Sequence, residues 1–246
     1  SKPGLPPYVC VPDKGQLGDR VRYASAHFLG MAYDPFESGL PPSDAKTAFR
    51  IPPNLSLSKA ADLRRFEQRI GLLRQLDQLP RAIDTNGTMD GMDVFQRKAM
   101  EMLAHRTTRD AFDLSQEPVA LRERYGNTRV GQGAILGRRL AEAGVPFVQV
   151  NWSQFVEVLF PNRDYGWDTH SDNFGLMADW HGPLLDRTLS ALIEDLDRRG
   201  LLETTLVCCM GEFGRTPRIN NIGSRDHWPH CYFSVWAGGG IEPGRV

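Results

Sequence analysis

The sequence of 246 residues lacks long apolar runs and lacks an excess of charge of either sign. No stretch approaches the ~18 consecutive apolar residues that a transmembrane helix needs, so no membrane span is predicted. Lysine and arginine number 29 and aspartate and glutamate 30, which gives a net charge of -1. A protein that coats nucleic acid or an anionic membrane by general charge attraction is therefore excluded. The hydrophobic fraction of 41% predicts a folded core.

Cysteine is also scarce, and several catalytic motifs are missing. The four cysteines form no C-x-x-C pair and no zinc-ribbon spacing, so we expect buried free thiols. H-E-x-x-H, G-x-S-x-G and the Walker phosphate loop are absent, which removes the enzyme classes that these motifs define. The glycines of VGQGAILG have the spacing G-x-G-x-x-x-G and follow no predicted strand, so they do not predict a dinucleotide site.

Proline and helical periodicity divide the first half of the sequence. Prolines punctuate residues 1–56, which predicts loops around one short strand at 8–11. Apolar residues recur at helical spacing over 58–126, which predicts a mainly helical segment ended by Gly126. Its helices are predicted at 58–80, 94–103 and 115–125. The sequence begins without methionine and stops just after a glycine-rich turn, so we expect residues 1–246 to be one domain, incomplete at both ends.

Helices and apolar strands alternate in the second half. The helical period predicts one helix over 131–143, ended by Gly144, and another from Pro183 to Gly200. Continuous apolar runs predict buried strands at 145–150, 204–210 and 231–237. Strands separated by helices or by long connections favour a mostly parallel sheet covered on both faces. The predicted fold class is therefore α/β, a three-layer sandwich with a mostly parallel sheet.

Carboxylates and imidazoles gather in the loops that follow or precede these strands. The loops beyond the carboxyl ends of parallel strands carry the functional residues of such sheets, so these side chains are expected to meet. An aspartate and a histidine two residues apart in an extended loop point the same way and can share one ion. Carboxylate and imidazole without thiolate suit zinc, manganese or another borderline-to-hard cation. The candidate metal ligands are Asp168, His170, Glu212, Asp226 and His227, with Arg215 as a candidate clamp for anionic oxygens.

Each of these residue pairs also has a purely structural interpretation. Glu212 and Arg215 can form an ion pair that only supports the fold. Asp226 and His227 can hold their loop without binding a metal. The convergence of three such loops favours chemistry over structure alone, and the residues by themselves leave both interpretations open.

Four phrases of the second half resemble the bacterial family catalogued as domain of unknown function 1501. They are WDTHSDNF, ALIEDLDRRGLLETTLV, MGEFGRTPRIN and RDHWPHCYFSVWAGGGI, while GLPPYV and FLGMAYDPF resemble earlier segments of the family. That family is similar to the alkaline phosphatase and sulfatase superfamily, which binds one or two metal ions beside a mostly parallel sheet and cleaves phosphate or sulfate esters. The resemblance implies an alkaline-phosphatase-like domain, a divalent ion (zinc, manganese or calcium) and a periplasmic or cell-envelope location. It also implies a small anionic ester or a sulfated or phosphorylated glycan as substrate, and no nucleic acid partner.

The resemblance assigns roles to the candidate ligands. Asp168 and His170 match an aspartate and a histidine that bind one metal, and His227 completes that site. Glu212 matches an acidic ligand of the other metal, and Asp226 is implied as a further ligand or as an orienting partner.

The resemblance also has two departures. Phe213 follows Glu212 where the superfamily usually has a histidine ligand, which implies a single ion or a rearranged pair. The nucleophile of the superfamily lies upstream of the matched region, so we expect it before the first residue of this chain. Thr169 and Ser171 are the only hydroxyls within the candidate cluster.

Three functional hypotheses result. The first is a metal-dependent hydrolase of phosphate or sulfate esters, in which Arg215 steadies the anionic oxygens. The second is a non-catalytic exported binding or scaffold protein that keeps the fold, which Phe213 favours. The third is hydrolysis of another bond, such as an amide, by the same ion.

Overall fold

The fold is known from a computed structural model that describes residues 4–13, 16–17, 21–22, 24–30, 33–49, 68, 102, 105–152, 166–242 and 244. Over these residues the chain has mixed helix and strand content. The helices predicted at 58–80 and 94–103 lie outside the described residues, apart from the isolated helical positions Gln68 and Met102.

Nine short strands occur in the described ranges. In chain order they are β1 Tyr8–Val11, β2 Gln16–Leu17, β3 Val21–Arg22, β4 Phe36–Glu37, β5 Phe147–Val150, β6 Leu206–Met210, β7 Gly214–Arg215, β8 His227–Trp228 and β9 Ser234–Gly238.

The helices are α1 Arg106–Phe112, α2 Val119–Tyr125, α3 Arg129–Ala143, α4 Asn173–Gly175 and α5 Gly182–Arg198. Leu114–Gln116 is a 3₁₀ turn, as is His27–Leu29, and a π-helical turn, Leu176–His181, joins α4 to α5 without a break. Pro118 precedes α2 and splits the helix predicted at 115–125, since proline cannot continue a helix through its missing N–H. The predicted end of α3 is confirmed, because Gly144 adopts the left-handed conformation that closes helices.

A small parallel sheet of three strands has the order β4-β1-β5. The strand predicted at 8–11 is confirmed as β1, and its register places Val9 opposite both Phe36 and Val148. Helix α3 covers this sheet, and the core lies between them. Its most buried members include Val9, Val11, Phe112, Tyr125, Ile135, Leu136 and Leu140.

The last two predicted strands do not join this sheet in the described part of the chain. Strand β6 pairs antiparallel with β9, with Cys208 opposite Trp236. The prediction of a mostly parallel sheet is wrong for this pair, because no helix separates the strands and the connection instead forms the antiparallel ribbon of β7 and β8. The described residues therefore form a mixed α/β fold with a small parallel sheet, and they do not form a complete three-layer sandwich.

The predicted burial of these strands is also wrong in part. Along β6 exposed and half-buried residues alternate, and Phe147 of β5 is exposed. All four cysteines lie in the described residues and are thiols outside any disulfide, as predicted, but only Cys10 is buried, while Cys208 and Cys231 are exposed. Alternation of exposure along β6 means that this strand presents one face outward, which a continuous apolar run does not reveal.

A buried network of charges ties α3 to α5. The guanidinium of Arg138 is fully buried and lies 2.7 Å from Glu117 Oε1 and 3.0 Å from Asp195 Oδ2. Arg199 binds the other oxygen of Asp195 at 2.8 Å, and the hydroxyl of Tyr125 donates to Asp195 at 2.9 Å. Burial of so many charges is tolerated only because each is paired.

Helix α3 begins in close contact with the preceding turn, which makes Gly131 sensitive to substitution. A Cβ atom on Gly131 would lie 2.5 Å from the Tyr125 carbonyl oxygen, whereas one on Gly137 would lie 3.0 Å from the side chain of Val150. We expect Gly131→Ala to lower the free energy of unfolding by about 1–3 kcal/mol, because backbone must shift. Gly137→Ala is expected to change it by less than about 1 kcal/mol, since a side chain can move and alanine favours the helix.

Denaturant unfolding of the two variants measures this difference. The variants carry the same substitution in the same helix, so each serves as the control for the other. Equal losses of stability in both would contradict the close contact assigned to Gly131.

None of the described helices is both long and apolar enough to cross a membrane.

Candidate metal centre

The loop before α4 carries two of the predicted ligands, and its backbone is fixed at successive residues. The imidazole Nε2 of the buried His181 lies 2.7 Å from the carbonyl oxygen of Gly166. Arg215 Nη2 donates to the carbonyl oxygen of Trp167 at 2.6 Å. Thr169 is buried, while Asp168 and His170 on either side of it reach the surface. The alternation predicted for the Asp-x-His phrase is confirmed, because both side chains point to the same place.

The third predicted ligand arrives from the β7–β8 ribbon. Arg215 and His227 are directly opposite each other in this antiparallel pair, which brings their side chains together. His227 Nε2 donates to Asp168 Oδ1 at 2.7 Å, across 59 residues of sequence. His170 Nε2 lies 2.9 Å from the same oxygen atom. One ligand atom of each of Asp168, His170 and His227 lies within 4.8 Å of the others.

The charges around Asp168 keep its carboxylate ionised. Partial burial raises the pKa of Asp168, but the hydrogen bond from His227 and the charges of His170, His227 and Arg215 lower it more, so the pKa falls below its usual value of 3.8. An ionised carboxylate between two imidazoles is the form that a divalent cation requires.

The other predicted site residues lie at the edge of this group. Asp226 Oδ1 is 3.8 Å from His170 Nδ1, the ring nitrogen that faces away from Asp168, so Asp226 sits behind the imidazole. Glu212 is exposed, precedes β7 and is outside the group of converging ligand atoms in the described residues. Its role as a ligand stays a prediction.

Arg215 occupies the site in a way that the sequence did not predict. Its guanidinium donates to the carbonyl oxygens of Trp167 and, at 3.3 Å, Arg225, and it lies 3.7 Å from Asp168 Oδ1. The side chain therefore holds the two ligand-bearing loops together. Burial lowers the pKa of Arg215, and the charges of Asp168 and Asp226 oppose that shift. Its role as a clamp for anionic oxygens stays a prediction.

Three buried polar residues connect the same two segments. The sequence analysis did not predict this supporting role. Asn173 Nδ2 donates to the Thr169 hydroxyl at 2.5 Å, and the Asn173 backbone N–H donates to the Ser224 hydroxyl at 3.2 Å. That hydroxyl in turn lies 3.4 Å from the Thr169 carbonyl oxygen. We call Thr169, Asn173 and Ser224 the buried polar cluster. Because the hydroxyl of Thr169 is buried and bonded within this cluster, it is not placed to attack a substrate.

Aromatic rings flank the candidate ligands. The rings of His170 and His227 are 4.4 Å apart between centroids, and Phe213 packs on the other side of His227 at 4.5 Å. Behind the loop, Trp167 makes edge contacts with Trp152 and His181. These contacts fix the plane of the His227 ring, since a packed aromatic neighbour removes its rotational freedom.

The arrangement is a candidate metal centre of one carboxylate and two imidazoles, carried by the loop before α4 and by strand β8 of a mixed α/β fold. The chain belongs to the family described as protein of unknown function DUF1501, whose model matches residues 1–246. No curated protein and no solved structure gives a significant match to the chain.

Proposed function

We propose that the protein is a metal-dependent hydrolase of phosphate or sulfate esters, built on an alkaline-phosphatase-like domain and using one divalent cation held by Asp168, His170 and His227. The observation that carries the proposal is the convergence of two imidazole nitrogens, one of them 59 residues away in sequence, on one oxygen of Asp168. A carboxylate and two imidazoles that approach one another in this way form the type of ligand group that a catalytic cation requires.

The donor set fits a catalytic cation. Two imidazoles and a carboxylate are the protein ligands of a common class of catalytic zinc site, in which the remaining position is left for water or substrate. The three side chains are between 36% and 49% exposed, so a substrate can reach the remaining position. Calcium prefers oxygen ligands throughout, so the two imidazoles favour zinc or manganese over calcium.

Each side chain around the proposed cation has a different role. A bound divalent ion would polarise an ester oxygen and favour ionisation of the attacking hydroxyl. Asp168 would keep its negative charge as a ligand, and the Nε2 atoms of His170 and His227 that face its Oδ1 would give up their protons to bind the cation. Asp226 lies behind His170 and would hold the Nδ1 side of that ring, as carboxylates behind metal-bound histidines do. Arg215 adds a positive charge beside the site, which favours an anionic ester there.

Phe213 supports one ion over two. It follows Glu212 at the position where the resemblance implies a further histidine ligand, and it packs against the ring of His227. A phenyl ring cannot bind a metal, so a second site would lack that ligand.

Metal titration of the protein tests the proposal. After removal of metal with a chelator, calorimetric titration is expected to give one zinc ion per chain, with weaker manganese and much weaker calcium binding. His227→Ala should lower zinc affinity by more than about 100-fold, because loss of a supporting residue alone costs 10–100-fold. His230→Ala removes an exposed histidine of the same segment and is the matched control, expected to bind zinc like the native protein.

Activity is tested with a panel of aryl phosphate and aryl sulfate monoesters. Turnover that requires zinc or manganese and disappears in His227→Ala would support the hydrolase. Sulfated or phosphorylated glycans and amides extend the panel, since the substrate class and a periplasmic or envelope location rest on the family resemblance. Absence of zinc binding by the native protein would overturn the proposal.

The second candidate function is a non-catalytic exported binding or scaffold protein. The presence of Phe213 in place of a ligand favours it, because one retained ion can stabilise a fold without supplying a complete catalytic site. Tight binding of one ion that raises the thermal midpoint, with no turnover across the panel, is its expected signature.

A further inference from the structure

Residues other than the three ligands set the relative position of the loop before α4 and the β7–β8 ribbon. Asp168 and His170 belong to the loop before α4 and His227 belongs to strand β8, so the site exists only while this loop and the β7–β8 ribbon keep a fixed separation. Arg215 bridges them on the exposed side, and the buried polar cluster bridges them on the inner side.

The inner bridge is placed where a small displacement has the greatest effect. Thr169 stands between Asp168 and His170 in sequence, so any movement of its backbone moves both ligands. Ser224 stands three residues before His227, in the strand connection that delivers it. Asn173 is the first residue of α4 and contacts both of the others, through its side-chain amide and its backbone N–H.

The buried hydrogen bonds of the cluster hold Thr169 and Ser224 at a fixed distance from each other. Thr169, Asn173 and Ser224 are 2%, 7% and 0% exposed, so their hydrogen bonds have no competing water. A buried donor that loses its acceptor is costly, which restricts the cluster to one arrangement. Asn220 adds order on the same side, because its Oδ1 accepts from the backbone N–H of Ser224 at 2.9 Å and its Nδ2 donates to Asp226 at 3.1 Å.

We infer that Thr169, Asn173 and Ser224 are positioning residues of the metal centre, which set the distance from Asp168 and His170 to His227 and so determine cation affinity. The inference rests on the proposed function, because it requires that the three ligands bind a cation. It predicts that hydroxyls with no access to solvent or substrate control metal binding.

Matched substitutions test it with zinc and cobalt as probes. Thr169→Val keeps the volume but removes the acceptor for Asn173, while Thr169→Ser keeps the hydroxyl. We expect Thr169→Val and Ser224→Ala each to weaken zinc binding by about 10–100-fold, as other supporting residues of metal sites do. Thr169→Ser should stay within a few-fold of native. The visible spectrum of the Co²⁺-loaded protein reports ligand geometry and should change in Thr169→Val and in Ser224→Ala only.

The control is Ser38→Ala, which removes another fully buried hydroxyl, one bonded within its own loop. Near-native zinc affinity and Co²⁺ spectrum in Ser38→Ala, with weakened binding in the two cluster variants, support the inference. Thermal unfolding in the presence of chelator identifies any variant that fails to fold, in which case Asn173→Ser, which removes the amide that donates to Thr169, is compared with Thr169→Ser and is expected to bind zinc about 10-fold more weakly.

Two negative results are distinguishable. If the native protein binds neither Zn²⁺ nor Co²⁺, the metal centre itself is absent and the inference is overturned with it. If the native protein binds and Thr169→Val and Ser224→Ala bind equally tightly with unchanged spectra, the metal centre stands and only the positioning role is overturned.

Discussion

Asp168→Asn is expected to lower zinc affinity by more than about 100-fold, because it removes the charged ligand of the candidate centre. Asp168 Oδ1 is the atom to which His227, His170 and Arg215 all converge, at 2.7, 2.9 and 3.7 Å. The amide is nearly the same size, so the substitution removes the negative charge and leaves two imidazoles and a guanidinium facing one another. A cation entering that group would meet net positive surroundings.

Asp172→Asn is the matched control for this experiment. Asp172 belongs to the same loop, is exposed and lies outside the converging group among the described residues. Calorimetric titration should give native zinc affinity for Asp172→Asn. Native affinity for Asp168→Asn as well would show that the three side chains meet without binding a metal.

Arg138→Met is expected to destabilise the fold by about 3–5 kcal/mol, which is the cost of removing one partner from a buried ion pair. Methionine fills much of the same space, so loss of charge dominates over loss of packing. Glu117 and Asp195, which are 6% and 8% exposed, would each lose a buried positive partner. Urea unfolding near neutral pH measures the change.

The control for this substitution is Arg106→Met. Arg106 is 85% exposed and pairs with Asp110 one helical turn away, so its loss should cost no more than about 0.5 kcal/mol. A loss of similar size in both variants would contradict the role given to the buried network.

The same network gives the Arg138→Met effect a definite pH dependence. Burial raises the pKa of Glu117, but hydrogen bonds and charges from Arg138 and Arg139 lower it more, so it lies below its usual value of 4.5. A carboxyl with a depressed folded pKa adds stability above its unfolded pKa and loses that stability as the pH falls through the folded value. The difference in the free energy of unfolding between the native protein and Arg138→Met should therefore be largest near neutral pH and should decrease below about pH 4.5.

Only part of the candidate centre has a short-range signal in the sequence. The two-residue spacing of Asp168 and His170 predicts a shared direction, whereas His227, 59 residues from Asp168, was assigned to the site from the family resemblance and from an expected parallel sheet that the described strands β6 and β9 do not form. Arg215 was predicted near the site for the same reason. Its hydrogen bonds to two carbonyl oxygens were not predictable, since they depend on where backbone atoms of distant loops lie.

The buried polar cluster had no signal in the sequence. Threonine, asparagine and serine in a polar loop are ordinary surface residues by composition, and only the folded chain shows that Thr169 and Ser224 are buried. Similarly, the apolar runs of β6 and β9 predicted strands correctly, but strand direction depends on the connection between them. That connection contains no helix and folds back as β7 and β8, so the pair is antiparallel.

The unbroken helical stretch from Asn173 through the π-helical turn to Arg198 has a consequence for how the molecule melts. Its first residue anchors the ligand loop, its middle residue His181 holds Gly166, and Asp195 near its far end is locked to Arg138. Because these contacts lie on one continuous helical stretch, disruption of the charged network at one end destabilises the contacts of the ligand loop at the other end. The cation pocket and the helical layer should accordingly unfold as one cooperative unit, so that zinc added at one extremity protects amide hydrogens of α3 from exchange.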